Sequence, residues 1–215
     1  MSQALHPMAD TPPSAPDIAY EWIKRYIIEL PRERDAFLNE GALATATETS
    51  RTPVREALLR LESEGFLRRI PRKGVYVPPI TDGDVRSLLD ARAIVERWAA
   101  TAARDAIRRD AGALQELIDA QRRSRDDTAR FIELDIEFHS RMVGLGGNPV
   151  LEEFYSSLRQ RQLRIGVRAV THGVDRMENV LDEHQAILDA IVAGEATDAA
   201  IDLHLESTRL AATAA

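Results

Sequence analysis

The chain has 215 residues, 44% of them apolar, 29% charged and 5% aromatic, with a formal net charge of -7 and no cysteine. That length fits one or two domains with real cores, and the missing cysteine excludes disulfides, thiolate metal sites and cysteine nucleophiles. The longest uncharged run, Met142 to Leu151, contains three glycines and Pro149, so it does not resemble a membrane span of ~20 apolar residues. No basic-then-apolar leader opens the chain, and the expectation is a cytoplasmic protein with no membrane partner.

Residues 1–16 carry Pro7, Pro12, Pro13 and Pro16 among small polar residues and read as a disordered tail. Ile18, Trp22, Tyr26 and Ile27 have helical spacing behind Asp17 as a cap, and Pro31 ends the helix. A short helix is predicted near Asn39 to Thr47, with Asn39 as cap and Leu43 inward. Val54, Ala57, Leu58 and Leu61 mark a third helix ending at Gly65, with Pro53 tolerated in its first turn. The period then shortens. Phe66 to Ile70 and Gly74 to Val77 read as a two-stranded hairpin around Pro71-Arg72-Lys73, and Pro78-Pro79 marks a boundary.

Everything after Thr81 reads as helix, near 82–109, 111–125, 127–146, 148–171, 174–193 and 195–213. The fold class is therefore mainly α, with a winged helix-turn-helix over 17–80 and an antiparallel six-helix bundle over 81–215. Charge follows the same division. Residues up to Ile80 hold 11 basic and 11 acidic groups, Arg51 to Ile80 alone holds 7 against 3, and the remainder is acidic. A basic segment ahead of an acidic body points to nucleic acid.

The third helix offers Arg51, Thr52 and Arg55 at its N-terminal end, beside its apolar stripe. Guanidinium groups read guanine edges, and a helix N-terminus suits phosphate. Arg72, Lys73 and Gly74 lie at the hairpin tip. An ordinary helical hairpin with a solvated basic face is the plainer alternative.

In the helical half, Asp135 and His139 share a helix face with Phe131, Phe138 and Met142. His184 lies among Val180, Leu181, Ile187, Leu188 and Ile191, and His204 follows Ile201. One histidine on an apolar stripe is most often a hydrogen-bonded core residue. Four polar residues on three such stripes are costly to bury without a shared partner. A divalent cation, such as zinc, nickel, manganese or iron, satisfies imidazoles and a carboxylate together. His6 falls in the tail and His172 beside the turn at Gly173. Arg92 shares a face with Leu88, Leu89, Val95 and Ala99. It reads either as an ion pair with Glu96 or as an anchor for a carboxylate. Arg161 and Arg164 could also line that carboxylate's pocket, but read first as a solvated face.

The strings Ser50-Arg51-Thr52-Pro53-Val54-Arg55-Glu56-Ala57-Leu58, Leu61-Glu62-Ser63-Glu64-Gly65-Phe66-Leu67 and Arg72-Lys73-Gly74-Val75-Tyr76-Val77 resemble the GntR family of bacterial transcription regulators. The resemblance implies that Arg51, Thr52 and Arg55 contact DNA and that Gly74 lies at the wing tip. One departure is Asn39-Glu40-Gly41-Ala42-Leu43, which lacks the arginine some relatives carry in the second helix.

The second half resembles the FCD effector domain of the FadR-type branch. It does so through Asp135-Ile136-Glu137-Phe138-His139, Gly147-Asn148-Pro149-Val150-Leu151, Glu183-His184-Gln185-Ala186-Ile187-Leu188-Asp189-Ala190-Ile191 and His204-Leu205. Six helices resemble its VanR-like subgroup. The likeness implies a divalent metal on Asp135, His139, His184 and His204, and a small organic acid beside it, with Arg92 as its anchor. The His184 to His204 spacing is about two residues short of the family pattern. If the shortening falls in the Gly194 loop, His204 still faces inward.

The resulting expectation is a ligand-responsive regulator that binds operator DNA as a homodimer and is not an enzyme. A metal-dependent hydrolase explains the Asp/His cluster but leaves the basic half unused, and Glu137 lies on the wrong face to serve it as a base. A structural metal in a DNA architectural protein leaves Arg92 unexplained.

Overall fold

The computed structural model describes residues 13–172 and 175–214. The expected tail over 1–12, His6 within it, and the turn at Gly173 lie outside the described residues. Two compact units emerge. One joins residues up to Ile27 with Ala36–Val77, and the other joins Ile28–Asp35 with Pro78 onward.

In the first unit, α1 (Ala15–Glu29) starts two residues before its expected first residue and continues into the second unit. The Ser14 hydroxyl, not Asp17, receives the Asp17 N–H at 3.4 Å, while it donates to the Asp17 carboxylate at 2.6 Å. Ala15 and Pro16, read as tail, thus form the first turn. A short strand β1 (Ala36–Leu38) follows, then α2 (Glu40–Ala46), α3 (Arg51–Ser63), β2 (Arg68–Ile70) and β3 (Gly74–Val77). Asn39 caps α2 by accepting from the Gly41 and Ala42 N–H groups.

The expected two-stranded hairpin is a three-stranded antiparallel sheet in the order β1-β3-β2, with Ala36 opposite Val77 and Ile70 opposite Gly74. Three residues of β1 are too few for an alternation to show in sequence. Val75 and Val77 point inward, while Phe37 and Tyr76 pair on the other face with ring centroids 5.0 Å apart. Phe66 and Leu67, expected at the start of β2, are buried ahead of it, and the strand begins at Arg68. At the hairpin tip Arg72 (φ 65) and Gly74 (φ 100) share the left-handed backbone.

The second unit is all helical: α4 (Asp82–Ala102), α5 (Arg104–Arg109), α6 (Ala111–Arg123), α7 (Thr128–Gly144), α8 (Pro149–Ser156), α9 (Arg159–His172), α10 (Arg176–Ala193) and α11 (Asp198–Thr213). The six expected helices thus appear as eight segments. The first is interrupted at Ala103 and the fourth at Ser157-Leu158. Neither break carries Gly or Pro, the residues that usually punctuate a helix in sequence. Thr81 and Asp84 form a reciprocal capping box at the start of α4. Phe131, Phe138, Leu114, Ile118, Ile187 and Ile191 form the core around which α4, α6, α7, α10 and α11 pack.

Candidate functional site

Arg51, Thr52 and Arg55 are exposed on the first two turns of α3, while Val54, Ala57, Leu58 and Leu61 are buried. Ser50 stands at the N-cap without a side-chain cap hydrogen bond, so the leading N–H groups of α3 are open to an anion. Arg55 Nε donates to Glu40 Oε2 at 2.7 Å, so Glu40 holds one face of that guanidinium. Arg72, Lys73 and Gly74 are exposed at the hairpin tip. Arg68, which the sequence reading passed over, is exposed beside them and lies 5.1 Å from the Tyr76 ring centroid.

The second constellation is buried. Asp135 and His139 come from α7, His184 from α10 and His204 from α11. Each offers one ligand atom, and these atoms all lie within 4.8 Å of one another. His139 Nε2 is 3.1 Å from His184 Nε2 and 3.2 Å from His204 Nε2, and His184 Nε2 is 3.2 Å from Asp135 Oδ1. Gly194, between α10 and α11, takes a left-handed conformation (φ 80), and His204 on α11 reaches the cluster.

The opposite edges of the three rings decide which atoms face the centre. His184 Nδ1 lies 2.9 Å from Gln121 Oε1, and the Gln121 amide nitrogen donates to the Phe131 carbonyl at 3.2 Å, which fixes the amide's orientation. His204 Nδ1 lies 2.9 Å from Glu183 Oε2, and Arg176 Nη1 holds the other oxygen at 2.8 Å. His139 Nδ1 lies 3.0 Å from Glu96 Oε2. The Nδ1 of His184 and of His204 therefore carries the proton toward an oxygen, and their Nε2 atoms present lone pairs. His139 Nδ1 is near Glu96 Oε2 but out of line for a hydrogen bond, and its Nε2 meets the other two and the carboxylate oxygen at the centre. A cation at that point satisfies all four, so the donor set fits a divalent metal.

Electrostatics agree. Burial pushes His184 down to about 3, against partial support from Asp135, and burial also lowers His204. Burial alone would raise Asp135, but its hydrogen bond to His184 and the neighbouring imidazoles hold it far below the usual carboxylate range. His184 and His204 are thus held as neutral imidazoles and Asp135 as an ionised carboxylate, the forms that bind metal. A stability consequence follows in metal-free protein. Unfolded, His184 and His204 take up protons near pH ~6.5, and folded they do so only at lower pH, so the unfolded state binds more protons below ~6.5. Stability is then full above about pH 6.5 and falls as pH drops toward 3. Urea midpoints of EDTA-treated protein should decline between about pH 7 and about pH 5, and His184→Leu should flatten that slope. An equal slope in both proteins would contradict this account.

Arg92 satisfies both sequence alternatives in part. Its Nε donates to Glu96 Oε1 at 2.7 Å, and Tyr155 donates its hydroxyl to the same oxygen at 2.7 Å. Burial, above all, keeps that hydroxyl protonated. Arg92 Nη2, however, is buried with no hydrogen-bond partner among the described residues. It lines a narrow cavity beside the metal-ligand cluster together with Asp135, Gln162, Arg176 and Thr208. Both amide atoms of Gln162 and the Nε of Arg176 are likewise without partners there. Counted as positions for a water centre, the cavity measures about 20 Å³, room for one or two waters. A larger ligand must displace side chains.

Glu183 and the inward-facing Gln121 and Gln162 had a signal that the sequence reading did not use. Gln121 continues the Leu114, Ile118 stripe, and Gln162 continues Leu158 toward Ile165 and Ala169. Of the two arginines read as solvated, Arg161 is exposed but Arg164 is only 5% exposed. Glu137 is exposed, on a face away from the cluster. No helix among the described residues is long and apolar enough to cross a membrane.

Comparison with known proteins gives matches across both halves. Residues 17–77 match the gntR family of bacterial regulatory proteins, and residues 87–207 match the FCD domain. The Nta operon transcriptional regulator of Aminobacter aminovorans is 35% identical over 133 residues, covering 61% of this chain and 62% of its own length. The HTH-type transcriptional repressor RspR of Escherichia coli K12 is 26% identical over 195 residues, covering 87% and 84%. Among solved structures, E. coli McbR/YncC shares the fold with a TM-score of 0.67 at 20% identity, covering 90% of this chain and 94% of that one. Both curated relatives are named as transcription regulators, which speaks against the hydrolase alternative. The chain belongs to the GntR family of bacterial transcription regulators, with a GntR DNA-binding segment followed by an FCD domain.

Proposed function

We propose that the protein is a ligand-responsive regulator that binds a two-fold symmetric operator as a homodimer, with α3 of each copy in a major groove. Arg51, Thr52 and Arg55 then face base edges and phosphates, and Arg72, Lys73 and Gly74 contact the neighbouring backbone or groove. Asp135, His139, His184 and His204 hold one divalent metal, of which zinc, nickel and manganese suit the donors. A small organic acid occupies the adjoining cavity, with Arg92 as its anchor. The bound metal supplies positive charge and an open position for an anionic oxygen. Arg92 Nη2, Gln162 and Arg176 supply donors to the rest of the acid.

The observation that carries this reading is the convergence of three imidazole Nε2 atoms and a carboxylate beside a cavity lined by residues with unpartnered donors. On the DNA side, the support is the exposed arginine pair on the uncapped start of α3. The operator half is tested by gel shift on DNA upstream of the protein's own gene and its neighbours. Arg51→Ala should weaken the specific complex by about 1–3 kcal/mol if it reads a base. Lys73→Ala should weaken all sequences alike and reduce the salt slope by ~1 if it touches phosphate. Unchanged operator affinity in a folded Arg51→Ala protein overturns the assignment of α3.

A further inference from the structure

A second cavity lies away from the metal-ligand cluster, between the segment 28–31 and α9. It is lined by Ile28, Leu30, Pro31, Arg164, Val167 and Thr171, among others. Counted as water-centre positions it measures about 220 Å³, which is room for roughly ten or more waters. Half of its lining is aliphatic; Glu29, Arg168 and Thr171 complete it with Arg164, the one of these four that is buried.

Arg164 is an unusual side chain to bury. It is 5% exposed, and its Nη1 donates to the Pro78 carbonyl at 2.9 Å. Its Nε and Nη2 are buried with no hydrogen-bond partner among the described residues, and no carboxylate there forms an ion pair with it. Buried cations are normally paired, because desolvating one without a counter-charge costs several kcal/mol. Burial accordingly pushes the Arg164 guanidinium below its ordinary value. The other buried arginines in this unit differ. Arg92 pairs with Glu96, Arg176 with Glu183, and Arg32 with Glu33 and Asp82. The acids near the cavity are otherwise engaged or outward: Glu33 lies 3.1 Å from Arg32 and 3.6 Å from Arg168, and Glu29 is exposed at the rim.

We infer that this cavity is a second anion site, in which Arg164 takes the charged oxygens of a small organic acid and the Ile28, Leu30, Pro31 and Val167 walls take its apolar body. Two parallel N–H donors on one edge of a guanidinium match a carboxylate, and Nε with Nη2 is the buried pair without a partner here. The site differs in chemistry from the metal-side cavity. No imidazole lines it among the described residues, and it selects a monoanion with an apolar tail rather than a chelating acid. It also differs in place. Its lining comes from a segment that interrupts the first unit in sequence, and its arginine holds Pro78, the residue directly after β3.

The test needs neither metal nor DNA, so its outcome is independent of the proposed regulator reading. Benzoate and hexanoate are titrated calorimetrically into the full chain, with benzyl alcohol as the uncharged control. Both acids should bind and the alcohol should not. Arg164→Met should weaken binding by about tenfold or more, the loss expected for charge-assisted hydrogen bonds. Val167→Trp fills the cavity while leaving Arg164 in place and should abolish binding. Arg92→Lys, in the other cavity, should leave it unchanged. Equal binding in wild type, Arg164→Met and Val167→Trp overturns the proposal. So does the absence of acid binding to wild type at millimolar concentration, or binding that is lost in Arg92→Lys and kept in Arg164→Met.

Discussion

Stripping the protein with EDTA should lower its melting temperature by roughly 10 °C, and His204→Ala should weaken metal binding as much as His184→Ala does. A ligand at a thousand times its dissociation constant stabilises the folded state by about 4 kcal/mol. For a protein of this size that corresponds to a shift of roughly 10 °C. The removal is costly because it leaves the four ligand atoms, all within 4.8 Å, buried and facing one another. The equality of the two histidine variants follows from geometry. His184 and His204 stand 3.1 and 3.2 Å from His139 Nε2 and each is held from behind, by Gln121 and Glu183. Those supports give a second measurement. Glu183→Gln leaves a neutral oxygen or an N–H behind His204, and metal affinity should fall by ~10–100-fold. Elemental analysis of protein purified without chelator should find about one divalent ion per chain. Protein that carries none, and gains no stability from added zinc, nickel or manganese, is incompatible with the site.

That site was legible in sequence to a definite depth. Asp135, His139, His184 and His204 stand out because an apolar stripe makes a polar residue conspicuous, and three such stripes make a shared partner economical. Gln121 and Gln162 obey the same rule but attract less notice, since an amide on a stripe looks like an ordinary helix edge. Glu96 was visible only as a possible neighbour of Arg92. Its contact with His139 joins α4 to α7, and long-range contacts of that kind leave no periodic trace. The same limit explains β1, whose three residues acquire strand identity only by pairing with β3. Arg164 shows the opposite failure. Between Leu163 and Ile165, a long charged side chain reads as solvent-facing by default, yet it is buried and bonds the distant Pro78 carbonyl, a contact that leaves no periodic trace. Composition fared well because the basic stretch from Arg51 to Ile80 is local, and so is the turn chemistry that sets the hairpin.

Replacing Arg92 is expected to produce two separable losses, and choosing the variant separates them. Arg92→Ala removes the partner of Glu96, whose carboxylate is fully buried and held otherwise by Tyr155 and His139. Breaking a buried pair from one side costs about 3–5 kcal/mol. The melting temperature should therefore fall by roughly 10 °C before any ligand is considered. His139 should loosen with it, because Glu96 orients that ring. A ligand test on Arg92→Ala alone thus confounds anchoring with folding. Arg92→Lys keeps a cation near Glu96 but gives up the Nη2 donor that faces the cavity, and Gln162→Leu removes the amide opposite without touching Glu96. Hydroxy and dicarboxylic acids should raise the melting temperature of metal-loaded wild type in proportion to the logarithm of their concentration. The shift should shrink in Arg92→Lys and in Gln162→Leu and vanish after metal removal. By linkage, the acid that binds there should change operator affinity by ~5–150-fold, and operator should change acid affinity by the same factor. An acid whose melting shift is identical in wild type, Arg92→Lys and Gln162→Leu binds elsewhere, and Arg92 is then no anchor. An acid that needs both side chains and the metal, yet leaves operator affinity untouched, occupies the cavity without being the signal.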